Sequence, residues 1–196
     1  MKTVSLAFSS FLFFATATAA VAQKPATSNA FQGDAALTYH WVRTNTQPGD
    51  CGCFYLNGGG ISGSWNFRSQ WSAVAELSAE HATDAPTTGA SLTLASYMGG
   101  ARYQLPHPGG PHTIEPFVQV LVGGAHAGGG AAGAGDGTHA FTARIGGAID
   151  LPLSQRFAVR LIQADYDLTT FANGTNDRQN NLLLAAGLVF HWSHRK

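Results

Sequence analysis

Residues 180–192, NNLLLAAGLVFHW, alternate with a period of two. Leu182, Leu184, Ala186, Leu188, Phe190 and Trp192 form one apolar set. Asn181, Leu183, Ala185, Gly187, Val189 and His191 form a smaller, more mixed one. A period of two predicts a strand whose side chains point to opposite faces. The theme recurs along the chain, separated by Gly- and Pro-rich connections, and predicts strands near 35–45, 56–67, 71–82, 91–104, 113–125, 139–151, 156–170 and 181–193. Eight such segments, with no amphipathic helical pattern among them, predict an all-β fold: an eight-stranded antiparallel up-and-down barrel.

The placement of charge decides which face is outside. In 71–80, Trp71, Ala73, Ala75, Leu77 and Ala79 oppose Ser72, Val74, Glu76, Ser78 and Glu80. In 141–151, Phe141, Ala143, Ile145, Gly147, Ile149 and Leu151 oppose Thr142, Arg144, Gly146, Ala148 and Asp150. In 157–169, Gln163, Asp165 and Asp167 oppose Ile162, Ala164, Tyr166 and Leu168. In a transmembrane barrel the oily faces meet lipid and the charges meet inside. Trp41, Trp65, Trp71, Trp192, Tyr39, Tyr103, Phe67 and Phe190 fall near strand ends, where aromatic girdles mark a lipid–water boundary. Two stretches alternate poorly: 91–104, and the strand interrupted by Gly58–Gly60. Strict alternation places Arg160 on the oily face, where it is expected to snorkel toward the interface; a bulge that shifts the register is the alternative.

Composition reinforces this picture. Only 11% of the 196 residues are charged, against about a quarter in ordinary soluble domains. The opening MKTVSLAFSSFLFFATATAAVAQ carries Lys2, an apolar stretch and Ala20-Val21-Ala22, which predicts a secretory signal peptide over 1–22. A flexible leader over 23–33, a barrel over 34–193 and a short tail over 194–196 complete the expected organisation, with no further domain after the last strand. Beyond the signal no apolar run is long enough for a membrane helix. Basic residues are neither in excess nor clustered, which excludes electrostatic capture of nucleic acid. An even strand count puts both ends on one side. Turns at 68–70, 105–113 and 152–156 share that side, and loops at 45–53, 83–89, 128–139 and 172–180 occupy the other.

With these elements placed, the chain resembles the bacterial OmpA/OmpX-type eight-stranded outer-membrane β-barrel proteins over roughly residues 31–193. The resemblance is clearest at AVRLIQADYDLTTF, residues 158–171, followed by NNLLLAAGLVFHW. It implies residence in the bacterial outer membrane among its lipids. It also implies a C-terminal assembly signal, Gly187, Phe190 and Trp192, read by the barrel-assembly machinery.

An eight-stranded barrel has room inside for little beyond its own side chains. Glu76, Arg102, Arg144, Asp150 and Asp165 are therefore expected to form an interior network of charges and hydrogen bonds, since buried charges need partners. Cys51 and Cys53 suggest a loop disulfide ahead of two free thiols in an exported protein, with a metal pair third because no second cysteine pair completes a site. His126 and His139 flank the Gly-rich loop, and His40 and His81 lie toward outer strand ends, too sparse a set to define a metal centre. Residues 58–63 and 128–133 match G-x-G-x-x-G without the βαβ setting that would give the motif meaning. His191, Ser193 and His194 come close together in HWSH without a placed acid. No catalytic, cofactor-binding or metal-ligating set is expected. The reading is a non-enzymatic outer-membrane barrel with a structural or surface-interaction role and, at most, limited small-solute passage. The alternatives are a secreted lipocalin-like barrel binding a lipophilic ligand, and an outer-membrane enzyme acting on lipid. Oligomeric state is not legible.

Overall fold

Eight antiparallel strands follow one another round a closed ladder: β1 (Gly33–Thr44), β2 (Phe54–Asn66), β3 (Trp71–Ala85), β4 (Ala90–Gln104), β5 (Glu115–Gly128), β6 (Thr138–Pro152), β7 (Phe157–Thr169) and β8 (Gln179–Trp192). The computed structural model describes residues 32–44, 54–85, 90–106, 113–129, 138–172 and 177–192. The signal peptide, most of the leader and the cysteines Cys51 and Cys53 lie outside the described residues. Gly33, expected in the leader, is the first residue of β1 and pairs with both Trp65 and Trp192.

Closure is made by β1 and β8, paired from Gly33↔Trp192 to Thr44↔Asn181. Following partners round the ladder from Gly33 through Trp65, Ala73, Ala101, Val120, Ile145, Tyr166 and Leu182 returns to β1 at Arg43. That stagger means the strands tilt steeply, by roughly 35–45° to the barrel axis. Closure also leaves no row of unpaired edge groups.

The alternation in the sequence resolves into an oily outside. Leu37, Ile61, Leu77, Tyr97, Val120, Ile145 and Leu188 point outward and are exposed, Ile145 by 57% and Leu188 by 62%. Inward positions carry the polar chains Thr38, His40, Glu76, Glu80, Arg102, Arg144, Gln163 and Asp165. Strand β4, unreadable by alternation, is nonetheless regular: Leu94, Ser96, Met98 and Arg102 all face in. Its pattern is blurred because Leu94 and Met98 are apolar yet inward. Leu94 belongs to a cluster with Val42, Leu56, Ala82, Ala125, Ala127, Leu183 and Ala185, against which Phe54, Leu92 and Phe171 pack. This cluster fills the end of the interior nearest the longer connections. Met98 packs with Val74 and Leu121 deeper in the barrel.

Arg160 corrects the strict-alternation reading. It points inward and is only 1% exposed. The cause is a β-bulge: Arg160 pairs with Gly187 and Gln163 with Ala185, so Leu161 and Ile162 together oppose one residue of β8. Both bulge residues face outward, each half exposed, and the inward phase resumes on either side of them. Arg160 does not snorkel.

Candidate functional site: the barrel interior

Beneath the apolar end cluster the interior is layered with polar side chains. Nearest that cluster, His40 Nδ1 lies 2.7 Å from Glu80 Oε1, and its Nε2 lies 2.8 Å from Thr38 Oγ1. The imidazole fits because residue 60 is glycine. A Cβ there would sit 2.6 Å from His40 Cε1. Ser78 and Ser96 hydrogen-bond to one another at 2.8 Å on the neighbouring strands.

Arg144 occupies the next layer. It donates from Nη1 to Glu76 across the barrel, and from Nη2 to Asp167 Oδ2 at 3.1 Å. Thr142 donates to the other Asp167 oxygen at 3.0 Å. One guanidinium thus neutralises carboxylates from β3 and β7.

Toward the end where β1 begins and β8 finishes, Arg160 forms a two-bond fork with Asp150, Nε to Oδ1 at 2.9 Å and Nη2 to Oδ2 at 3.1 Å. Its Nη1 donates to Gln163 Oε1 at 2.9 Å, and Gln163 Nε2 donates to Asp165 Oδ2 at 2.6 Å. Arg102 donates to both oxygens of Asp34 at 3.1 Å, and Ser64 also donates to Asp34. The guanidinium carbons of Arg102 and Arg160 lie 4.1 and 4.9 Å from the centre of the Phe117 ring. That ring supplies an electron-rich face to both buried cations.

All five residues expected inside, Glu76, Arg102, Arg144, Asp150 and Asp165, are buried there. They do not form a single network among themselves. Glu76 meets Arg144, but Arg102 pairs with Asp34 and Asp150 with Arg160, while Asp165 is held through Gln163. Sequence reasoning missed Asp34, His40, Glu80 and Arg160 as network members. A signal for Arg160 was present in the adjacent apolar pair Leu161-Ile162, since two oily neighbours inside an alternating strand mark an extra residue. Partner choice across the barrel carried no such signal, because it depends on the stagger.

Thr38, His40 and Glu80 place a hydroxyl, an imidazole and a carboxylate in hydrogen-bonded series, the order used to activate a nucleophile. Here the series is sealed: His40 is 0% exposed, and the apolar cluster lies between it and the barrel end. All three side chains are buried, and the series links β1 to β3. His81 faces outward and bonds Thr93 at 2.9 Å. Among the described residues no group of three or more metal-ligating side chains is gathered.

No protein-family model matches the chain, and no curated protein matches it. Solved structures do. Neisserial surface protein A superposes with a TM-score of 0.66 at 11% identity, over 82% of this chain and 97% of that one. The outer membrane protein OprG from Pseudomonas aeruginosa gives 0.50 at 11% identity, over 84% of this chain and 98% of that one. The chain has the fold of the eight-stranded outer-membrane barrels. An outer-membrane barrel is inside-out relative to a water-soluble one, which accounts for the Leu, Ile and Val belt on its wall. The same frame gives meaning to the outward aromatics at strand ends. Trp71 leans on Tyr103, and Phe157 meets Phe190 edge-on, at the end where β1 begins and β8 finishes. Trp41 stacks on Tyr55 at the opposite end.

Proposed function

We propose that the protein is an integral, non-enzymatic component of the bacterial outer membrane that acts through its two ends, as a structural or surface-interacting element. The observation that carries this reading is the filled interior. Arg144, Arg160 and Arg102 are tied to carboxylates from facing strands, and an apolar cluster stands over them. A solute would have to break buried ion pairs, which cost several kcal/mol to separate. The limited-passage version of the reading finds no support in this packing. The lipocalin-like alternative requires an oily interior with room for a ligand, and the interior is instead occupied by charge pairs.

In this reading the C-terminal strand serves as the assembly signal for the barrel-assembly machinery. Phe190 faces outward where a receptor would read it, and Gly187 lies against the Leu37 backbone, where a Cβ would collide. Two measurements test the proposal together. The expressed protein should fractionate with outer membrane and migrate differently on gels before and after boiling. Reconstituted in planar bilayers, it should pass no resolvable single-channel current, and Arg144→Ala should remain silent too. Recovery as a soluble periplasmic protein overturns the membrane assignment; regular current steps overturn the closed interior.

A further inference from the structure

Two imidazoles meet on the outer wall, away from the interior network. His126 in β5 and His139 in β6 are direct cross-strand partners next to the mouth of their hairpin. Their ring centroids are 4.5 Å apart and their planes are inclined by 47°. Both lie on the outward face, since Ala125 and Ala127 on either side of His126 are buried inward. The other strand imidazoles on this half of the barrel have hydrogen-bond partners: His40 has Thr38 and Glu80, and His81 has Thr93. The Nδ1 of His126, by contrast, is buried without a partner among the described residues. The next outward residue is Gly128, which leaves the edge of the His126 ring uncovered; even an added Cβ there would stand 3.8 Å from Nε2.

Neutral imidazole is a borderline-soft ligand suited to zinc, copper and nickel rather than to calcium or magnesium. Two imidazoles holding one ion at neighbouring coordination positions, each nitrogen about 2.0–2.1 Å from it, have centroids roughly 4.5–5 Å apart. The observed 4.5 Å lies at the short end of that range, where the two imidazoles stand about a right angle apart on the ion, and the inclined planes keep the rings from closing into a flat stack. We infer that His126 and His139 form a two-imidazole site for a divalent transition-metal ion, with water completing its coordination. The site is independent of the network inside the barrel. Its ion ties β5 to β6 at the point where their ladder ends, Ala127↔Thr138, before a connection rich in glycine. Pinning that mouth offsets part of the entropy cost of closing the hairpin. Because a bound imidazole must be neutral, affinity falls as protons compete at acid pH.

The test uses the full chain refolded in detergent micelles, with Cys51→Ser and Cys53→Ser in the background so that thiolates do not contribute. Titration with zinc at neutral pH should give one saturable event per chain by calorimetry. His126→Ala and His139→Ala should each weaken it by at least about tenfold, as expected when one of two protein ligands is lost. His81→Ala should leave it unchanged, and all variants should keep their heat-modifiable mobility. Copper loaded on the parent protein should show spin coupling to two ring nitrogens. Absence of saturable binding, or binding that survives both single substitutions, overturns the site.

Discussion

At the scale of single residues, the interior is decided by how buried charges find partners. Arg144 is the clearest instance, because it serves Glu76 and Asp167 together. Arg144→Met removes the cation but leaves both carboxylates buried. The expected loss is about 3–5 kcal/mol, read as a lower urea midpoint for unfolding from lipid vesicles. Combining it with Glu76→Gln should recover part of the loss, because one stranded charge disappears; a simple sum of the two losses would mean the residues do not interact. Glycine contributes by absence. Asp165 lies against Gly146 so closely that a Cβ would occupy the place of its Oδ1, and that contact lets a carboxylate from β7 tuck against β6. Which residues face inward was legible from alternation, and so was the need for opposite charges to meet. The pairs themselves were not. Arg102 on β4 reaches Asp34 on β1, and Arg144 on β6 reaches Glu76 on β3, contacts that span the barrel and depend on the stagger of strands far apart in sequence.

At the scale of elements, the eight strands lie within a few residues of where alternation puts them, because an oily face on one side and a polar face on the other leave little freedom of register. β7 is where that reasoning failed. Its bulge at Leu161 and Ile162 adds one residue to the ladder, so that a count by twos sends Arg160 to the wrong side. The bulge yields an unusual expectation. Deleting Leu161 restores regular pairing while every other β7 side chain keeps its face, and the Asp150–Arg160 fork stays possible. Deleting Ala164 instead puts the two segments of β7 out of phase. The Leu161 deletion should therefore refold in micelles with near-parent yield, measured as the fraction of heat-modifiable protein, and the Ala164 deletion should not. Equal yields would mean that the bulge does not set the register. β4 shows the converse limit: its apolar inward residues Leu94 and Met98 hide an ordinary strand from any reading based on polarity alone.

At the scale of the molecule, the wall and the interior exchange the roles they have in a soluble protein. Ile145, midway along β6 and 57% exposed, marks the centre of the oily belt. Ile145→Arg should cost about 2–4 kcal/mol in bilayers, the expense of a cation near the middle of the hydrocarbon. The same change in a barrel surrounded by water would be nearly neutral, so the measured cost reports directly on what the belt touches. Neighbouring Arg144 is buried by the protein itself, one residue away and on the opposite side of a single sheet. A wall one residue thick separates a place where arginine is required from one where it is ruinous.

The seam between β1 and β8 has one more implication. Its pairing runs from Gly33↔Trp192 to Thr44↔Asn181, and Gln32 N–H donates to the Trp192 carbonyl at 2.9 Å just beyond it. Its ladder is unbroken, like those of β1–β2, β2–β3, β4–β5 and β5–β6, so the starting point of the polypeptide is arbitrary as far as the cylinder is concerned. A circular permutant that joins the old ends and opens at the tight turn of residues 67–70 retains every rung. It should regain its shape from denaturant in micelles, yet it carries Gly187, Phe190 and Trp192 in its interior sequence instead of at its tail. Such a molecule would test the proposed assembly signal separately from the shape of the cylinder.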